Sequence, residues 1–479
     1  MNAARFYVAQ VRGTQHVTNV VRSASTRTQA IVMAQRVVGE VRSALWFKPA
    51  LAVLVGLIAG TAMARVLGYG PDWLGPIAFR GNANDARQVL TVVIGALIPV
   101  TSLVFALTVV TLQIASTQFS PRLLRTFLRD FGTQVVLGCF VGTIAFCLAV
   151  IYEINTDVSA GQVPRPAITM ALTLAVVCIA MLVYYFGHIT NAVRIDSIMR
   201  QVERDTRRLL EHHHPLVAGP PHASTGALPV LDPDATITLE QPAQAYGVLA
   251  GADGYLQGVD PRLLALATRK GLTIQVVPTV GYYVVRGQQL AVVWADNGSP
   301  LKPTTADAIL HLIEVAPERR IERDLGLGLR QLVDIINRAM STGQNDPYTG
   351  TQAVHHLSSL MLDCSRRDFS TRTYGDPSGR VRIALPIMSF LTHLRVVCAH
   401  IRQGGLERHP RVVQELLRML ALIGEGAASP QRRLALEREV DILLGAAEGM
   451  IHTPADLAEV RQQGAQVLSQ LSPQSRPAA

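Results

Sequence analysis

The sequence predicts a mainly α integral membrane protein, with four transmembrane helices followed by a cytoplasmic region that holds a small β-rich, barrel-sandwich-like domain and a helical domain. Three observations predict it. Of the 479 residues, 49% are hydrophobic, and the mean hydropathy of +0.26 is high for a water-soluble chain. Four apolar runs, Ala50 to Leu67, Val89 to Leu112, Gln134 to Tyr152 and Ala167 to Phe186, each approach the ~20 residues needed to cross a bilayer core. Beyond them the long apolar runs stop, and shorter strand-like and helix-like patterns take over.

Residues 1–48 read as a basic arm and an amphipathic helix. The first part is rich in arginine and hydroxyls and nearly free of acids, a texture shared by transit peptides, disordered basic arms and stretches upstream of a misassigned start codon. No cleavable signal peptide is evident. From Ile31 the spacing of Ile31, Ala34, Val38, Val41 and Leu45 predicts a short helix lying along the membrane surface and leading into the first span.

Residues 49–190 form the four-helix transmembrane domain, and the loop charges orient it. Arg5, Arg12, Arg22, Arg27, Arg36, Arg42 and Lys48 precede the first span, Arg122, Arg125 and Arg129 follow the second, and Arg194, Arg200, Arg204, Arg207 and Arg208 follow the fourth. The other two loops mix Asp72, Asp85, Glu153 and Asp157 with Arg80, Arg87 and Arg165. The positive-inside rule then places both termini in the cytoplasm. Trp46, Phe47, Tyr69, Trp73, Tyr152, Tyr184 and Tyr185 flank the spans as interfacial aromatics do. Much of the net charge of +9 is this juxtamembrane arginine, which implies contact with anionic lipid. Nucleic-acid binding is not expected, because basic and aromatic residues do not interleave.

The second span carries polar groups that a lipid-facing helix does not need. At one hundred degrees per residue Thr101, Thr108, Thr111, Ala115 and Gln118 share one stripe, and Thr91, Gly95, Ser102, Ala106 and Gln113 another. Such groups pack helices closely or line a water-filled path. Two stripes predict a central helix, packed on more than one side, and Pro99 predicts a kink. The run reaches about Phe119, roughly 45 Å at 1.5 Å per residue against a hydrocarbon core of ~30 Å, so its end should protrude. Ser120 and Pro121 then read as the cap and first residue of a new helix, with Arg122, Arg125 and Arg129 opposite Leu123, Leu124, Phe127, Leu128 and Phe131. That pattern suits a helix anchored in lipid headgroups; an anion site is the rival use of the arginines.

The third span contains Gly138 and Gly142 in a GxxxG spacing, which permits close helix crossing. Arg65 and Glu153 stand near the outer ends of their spans, where snorkelling accommodates them. The five cysteines, Cys139, Cys147, Cys178, Cys364 and Cys398, form no CxxC pair and read as buried apolar thiols.

Residues 191–234 are a helix end and a linker rich in Pro, Gly and Ala, on which His212, His213 and His214 read as exposed rather than as metal ligands. Residues 235–300 form the small β-rich domain: "TITL", "GYLQGVD", "LTIQVVPTV" and "GYYVVRGQQLAVVW" are strand-like, and Gly281, Val284, Gly287 and Leu290 step by three as in a barrel-sandwich. Lys270 lies in a helix-to-turn segment, so no modified carrier lysine is expected. Residues 301–472 are helical, with Leu329, Leu332, Ile336 and Met340 on one face, Val413, Leu416, Leu420 and Ile423 on another, and a hairpin at "RTYGDPSGRVRIAL"; residues 473–479 are a tail. In "GLRQLVDIINRAMSTGQNDPYTG", Asp346 before Pro347 suits an N-cap with Gly343 and Asn345 shaping the turn, while Arg330, Asp334, Asn345 and Asp346 together suggest a polar pocket. No HExxH, Walker lysine, serine-histidine-acid order or intramembrane acid pair occurs, so neither an enzyme nor a cofactor or metal is expected.

The segments "WFKPAL", "LVFALTVVTLQIASTQFSPRLLRTFLRDFGTQVVLGCFVGT", "GYLQGVD" and "GLRQLVDIINRAMSTGQNDPYTG" resemble the bacterial predicted membrane proteins grouped as domain of unknown function 2254. The resemblance covers nearly the whole chain after about Ser43. It implies a four-span inner-membrane protein with a cytoplasmic domain and transfers no reaction or ligand. From the residues themselves the expectation is a homo-oligomeric, channel-like protein with a cytoplasmic sensing domain. The alternative is a non-conducting membrane-anchored sensor or scaffold for a cytoplasmic ligand or protein.

Overall fold

The computed structural model describes residues 19–21, 46–66, 79–118, 131–154, 163–192, 194–217, 232–341, 343–404 and 409–472. The helix expected from Ile31 and the helix restart at Ser120 lie outside them. The chain divides into two compact units, Ala30–Ile198 and a second made of Met1–Gln29 with Met199–Ala479.

In the first unit, α1 (Phe47–Val66), α2 (Ala83–Gln118), α3 (Phe131–Glu153) and α4 (Arg165–Ala192) coincide with the four apolar runs, and each is long and apolar enough to cross a membrane. Asn82 and Asp85 cap α2 reciprocally: each backbone N–H donates to the other's side chain at 2.9 Å. With 36 residues, α2 extends about 54 Å at 1.5 Å per residue.

The central helix is α3, not the expected α2: 56% of its apolar window is buried, against 17% for α2. Small residues decide this. A Cβ on Gly56 of α1 would collide with the Gly142 carbonyl, one on Gly60 with the Phe146 carbonyl and Ala149, and Gly138 and Gly142 both face Ala52. The GxxxG of α3 thus meets a second GxxxG on α1, Gly56 and Gly60, which hydropathy alone does not flag. The contacts advance in the same direction along both helices. The Lys48 ammonium sits 4.3 Å from the Phe131 ring at one end, and Arg65 pairs with Glu153 at 2.8 Å at the other. Hence α1 and α3 are parallel, as the first and third spans of an alternately threaded chain must be, and Arg65 and Glu153, expected to snorkel, pair with each other.

α3 also packs antiparallel to α2 and α4. Ala86 and Leu90 meet Phe146, Val150, Ala167 and Ile168 at one end, and Leu97 and Val104 meet Val136, Phe140, Cys178 and Tyr185 at the other.

α5 (Ile195–His213) begins close after α4 and leads into the second unit. Its Val202, Thr206, Leu209 and Leu210 are buried there, and Gly328 leaves room for Thr206. The strands are β1 (Asn19–Val21), β2 (Tyr246–Leu249), β3 (Gly254–Val259), β4 (Leu272–Val276), β5 (Tyr283–Val284), β6 (Gln289–Ala295), β7 (Ile313–Ala316), β8 (Arg372–Gly375) and β9 (Val381–Leu385). They make a six-stranded sheet in the order β1-β2-β6-β4-β9-β8 and a three-stranded sheet, β5-β3-β7. The expected hairpin forms as β8 and β9, and β9 lies parallel to β4, with Ile274 opposite Ile383, so the larger sheet draws on residues far outside 235–300. "TITL" is not a strand: Ile237 and Leu239 donate to the side chains of Thr371 and Gln275 instead of to a ladder.

α6 (Arg262–Lys270) and α7 (Pro303–Leu312) supply Leu263, Leu266, Ala306 and Ile309 to a core shared with Leu256, Ile274, Leu290, Val293 and Ile383. Lys270 closes α6 and donates to the Thr305 hydroxyl at 2.8 Å. The helical part comprises α8 (Leu325–Ala339), α9 (Pro347–Ser365), α10 (Phe390–Gln403), α11 (Pro410–Gly426), α12 (Pro430–Met450) and α13 (Pro454–Leu471). The faces expected on α8 and α11 are the buried ones. Gly281, at a φ of +88°, is held where a Cβ would strike the Asp324 carboxylate that caps α8.

Candidate functional site

The polar stripes of α2 come apart in the structure. Thr101, Ser102, Thr108 and Thr111 each donate to the carbonyl four residues back, at 2.7, 3.2, 2.8 and 2.8 Å, so these hydroxyls are satisfied without water. Thr108 is buried and lies 2.7 Å from the Tyr185 hydroxyl of α4, which also reaches the Val104 carbonyl at 3.0 Å. The first stripe is therefore helix packing at Thr108, with Thr101 and Thr111 half-buried. The second stripe is different. Thr91, Gly95, Ser102, Ala106 and Gln113 are all exposed, and nothing lies within 4 Å of a Cβ placed on Gly95. Gln118 ends α2 and its side chain lies outside the described part, as do Arg122, Arg125 and Arg129 entirely.

In the second unit the four residues expected to share a pocket serve two local purposes. Arg330 and Asp334 pair along α8 at 3.1 Å, and Arg330 reaches His400 of α10. Asn345 takes a positive φ of 44° in the turn, and Asp346 caps α9, accepting from the Thr349 N–H at 3.1 Å and its hydroxyl at 2.6 Å. Those two bonds hold the Asp346 carboxyl below its ordinary pKa. The cap expected at Asp346 is thus observed.

Several charged ties carry no flag in the sequence, because a lone Arg or His in a helical pattern reads as a solvated residue. Arg432 of α12 is fully buried: it bonds Asp234 at 2.6 Å, donates to the carbonyls of Ser365 and Arg367 at 2.8 and 2.9 Å, and lies 4.7 Å from the Phe390 ring. Asp234 in turn accepts from the Phe390 N–H at 2.7 Å. His214, expected on an exposed linker, is buried and stacks on Phe369 at 4.3 Å, with its ring nitrogens at the Asp368 carbonyl and Arg372. Burial, reinforced by Arg372, drives its pKa well below the usual histidine range. Burial does the same to His393, down to about 4. Between α5 and α9, Glu203 accepts from His356 at 2.5 Å and Arg207 at 2.7 Å, while Arg207 also pairs with Asp363. Burial pushes the Glu203 carboxyl up, but these hydrogen bonds outweigh it and leave its pKa lowered.

Among the described residues no group of three or more His, Cys, Asp and Glu side chains is placed to hold a metal ion. The four apolar helices and the second unit that follows them can now be set beside known proteins. The family described as predicted membrane protein (DUF2254) matches residues 42–422, from just before α1 into α11. The chain belongs to this family. This DUF2254 chain is also 34% identical over 464 residues to uncharacterized proteins of Mycobacterium bovis and Mycobacterium tuberculosis, covering 96% of its own length and 86% of theirs. The similarity therefore runs through both units. No solved structure matches the chain.

Proposed function

We propose that this DUF2254 protein is a multi-pass protein of the bacterial inner membrane, with both termini cytoplasmic, whose copies assemble around the exposed face of α2. That face forms or gates a path through the bilayer, and the second unit senses a cytoplasmic signal. The exposure of Thr91, Gly95, Ser102, Ala106 and Gln113 carries the reading. A span surrounded only by lipid has no use for a row of small, hydroxyl and amide groups, whereas a helix facing copies of itself does. The parallel run of α1 and α3 agrees with alternate threading. The exposed arginines Arg200, Arg204 and Arg208 of α5, soon after α4, agree with a cytoplasmic side that meets anionic lipid.

The test is ion flux through liposomes holding the purified full chain, with its oligomeric state measured in the same preparation. Ser102→Leu and Gln113→Leu should change the flux severalfold, and Val176→Leu, on an exposed apolar position of α4, should not. A bilayer that stays tight under every condition, or a strictly monomeric chain, sinks the proposal.

One observation favours a second reading, a non-conducting membrane-anchored sensor or scaffold. The hydroxyls of Thr101, Ser102, Thr108 and Thr111 are satisfied on their own helix and do not require water. A tight bilayer combined with a ligand-dependent rise in the full chain's unfolding temperature would favour it over conduction.

A further inference from the structure

We propose that Cys139 and Cys178 are an oxidisable dithiol that closes to a disulfide and staples α3 to α4. Their Sγ atoms lie 3.8 Å apart across the two helices, and both thiols are free. A disulfide requires about 2.05 Å, so the sulfurs must approach by about 1.8 Å, which side-chain rotation and a small helix shift provide. The surroundings hold the pair in register. Thr143, one turn beyond Cys139, donates to the Cys139 carbonyl at 2.8 Å, and the Cys178 sulfur lies 3.4 Å from the Thr143 hydroxyl. Cys178 is fully buried, whereas Cys139 is partly exposed and is the thiol an oxidant meets first. Cys147, two turns further along α3, packs instead with Leu90, Val150 and Ile168, which makes it an internal control.

The oxidant is a hydroperoxide, either hydrogen peroxide or a lipid hydroperoxide at the depth of the helices. The Cys139 sulfur attacks the O–O bond and becomes a sulfenic acid, releasing water or the lipid alcohol. The Cys178 sulfur then displaces the sulfenic hydroxyl, forming the S–S bond and releasing a second molecule, water. Two S–H bonds are lost, two electrons pass to the peroxide, and its two oxygens leave as water or alcohol. The staple would fix α4 on the helix at the centre of its unit, and α4 is followed closely by α5, the lead into the second unit. The inference is independent of whether the chain conducts.

The experiment treats the purified full chain with graded hydrogen peroxide or cumene hydroperoxide and counts maleimide-reactive thiols after denaturation. The five thiols of the chain should fall to three and return to five with dithiothreitol. Cys139→Ser and Cys178→Ser should each block the paired loss, and Cys147→Ser should leave it intact, from four thiols to two. Unfolding temperatures of the three variants, measured under reduction, confirm that each is folded. Five thiols persisting under peroxide and under copper-phenanthroline, a loss that dithiothreitol cannot reverse, or a loss blocked by Cys147→Ser but not by Cys139→Ser would each overturn the proposal.

Discussion

In the four-helix unit the hydroxyls of Thr101, Ser102, Thr108 and Thr111 turn back onto their own backbone, and the close contact between α1 and α3 is made by Gly56, Gly60, Gly138 and Gly142. In the second unit Arg432 crosses to Asp234, to two carbonyls and to an aromatic ring, and Glu203 ties α5 to α9 through His356. The proposed placement of the four apolar helices in lipid, and of the second unit in water, accounts for the difference. Between apolar helices in lipid there is no hydrophobic drive to associate, so contact depends on backbone approach and local satisfaction of polar groups. A unit with a water-facing surface gains from burying apolar area, and a few paired charges then fix which segments meet.

The strongest way to break this contrast is Asp234→Ala, which leaves the Arg432 guanidinium buried without its carboxylate. Unfolding of the full chain followed in the second unit should show a loss of about 3–5 kcal/mol. A change under 1 kcal/mol would mean that the carbonyls and the Phe390 ring hold Arg432 alone. The histidines come next. His393 has a folded pKa of about 4, against an ordinary value of about 6.5, so it is neutral in the fold at pH 7. As pH falls below about 6.5, the unfolded chain takes up a proton that the folded chain refuses. Stability is thus full above that value and declines down to about pH 4, by roughly 1.4 kcal/mol per pH unit and about 3 kcal/mol in all. Denaturation profiles across this window should become shallower in His393→Gln, with the buried His214 keeping the remaining slope, and an unchanged slope would remove His393 as a contributor.

For the four-helix unit, Gly56→Ile sharpens the comparison, because its Cβ would collide with the Gly142 carbonyl. Overpacking there should cost about 1–3 kcal/mol in thermal unfolding, with no effect on the pH profile of the second unit. The smallest effect belongs to Thr108→Val. Tyr185 keeps the Val104 carbonyl as a partner, so the loss should be near 0.6 kcal/mol, the average for interhelical hydrogen bonds in membranes. A loss several times larger would show that polar ties between these helices matter as much as the charged ties of the other unit.

Much of the architecture is legible in the residues alone. Four runs of apolar length mark α1 to α4, the spacing of Leu329, Leu332, Ile336 and Met340 marks the buried face of α8, and Asp346 before Pro347 marks the start of α9. These features depend on hydropathy, helical period and capping, which are local along the chain.

Tertiary structure decided the rest, because it depends on which distant segments meet. The α2 sequence shows two polar stripes but not that Tyr185 claims Thr108 while Ser102 and Gln113 stay exposed. The linker composition around His214 gives no sign of Phe369, more than a hundred residues away. Strand β9 reads as half of a local hairpin, yet it also pairs in parallel with β4, which requires a crossover that no local pattern encodes. Cys139 and Cys178, far apart in a chain without a CxxC pair, become neighbours only because α3 and α4 run antiparallel with Thr143 between them.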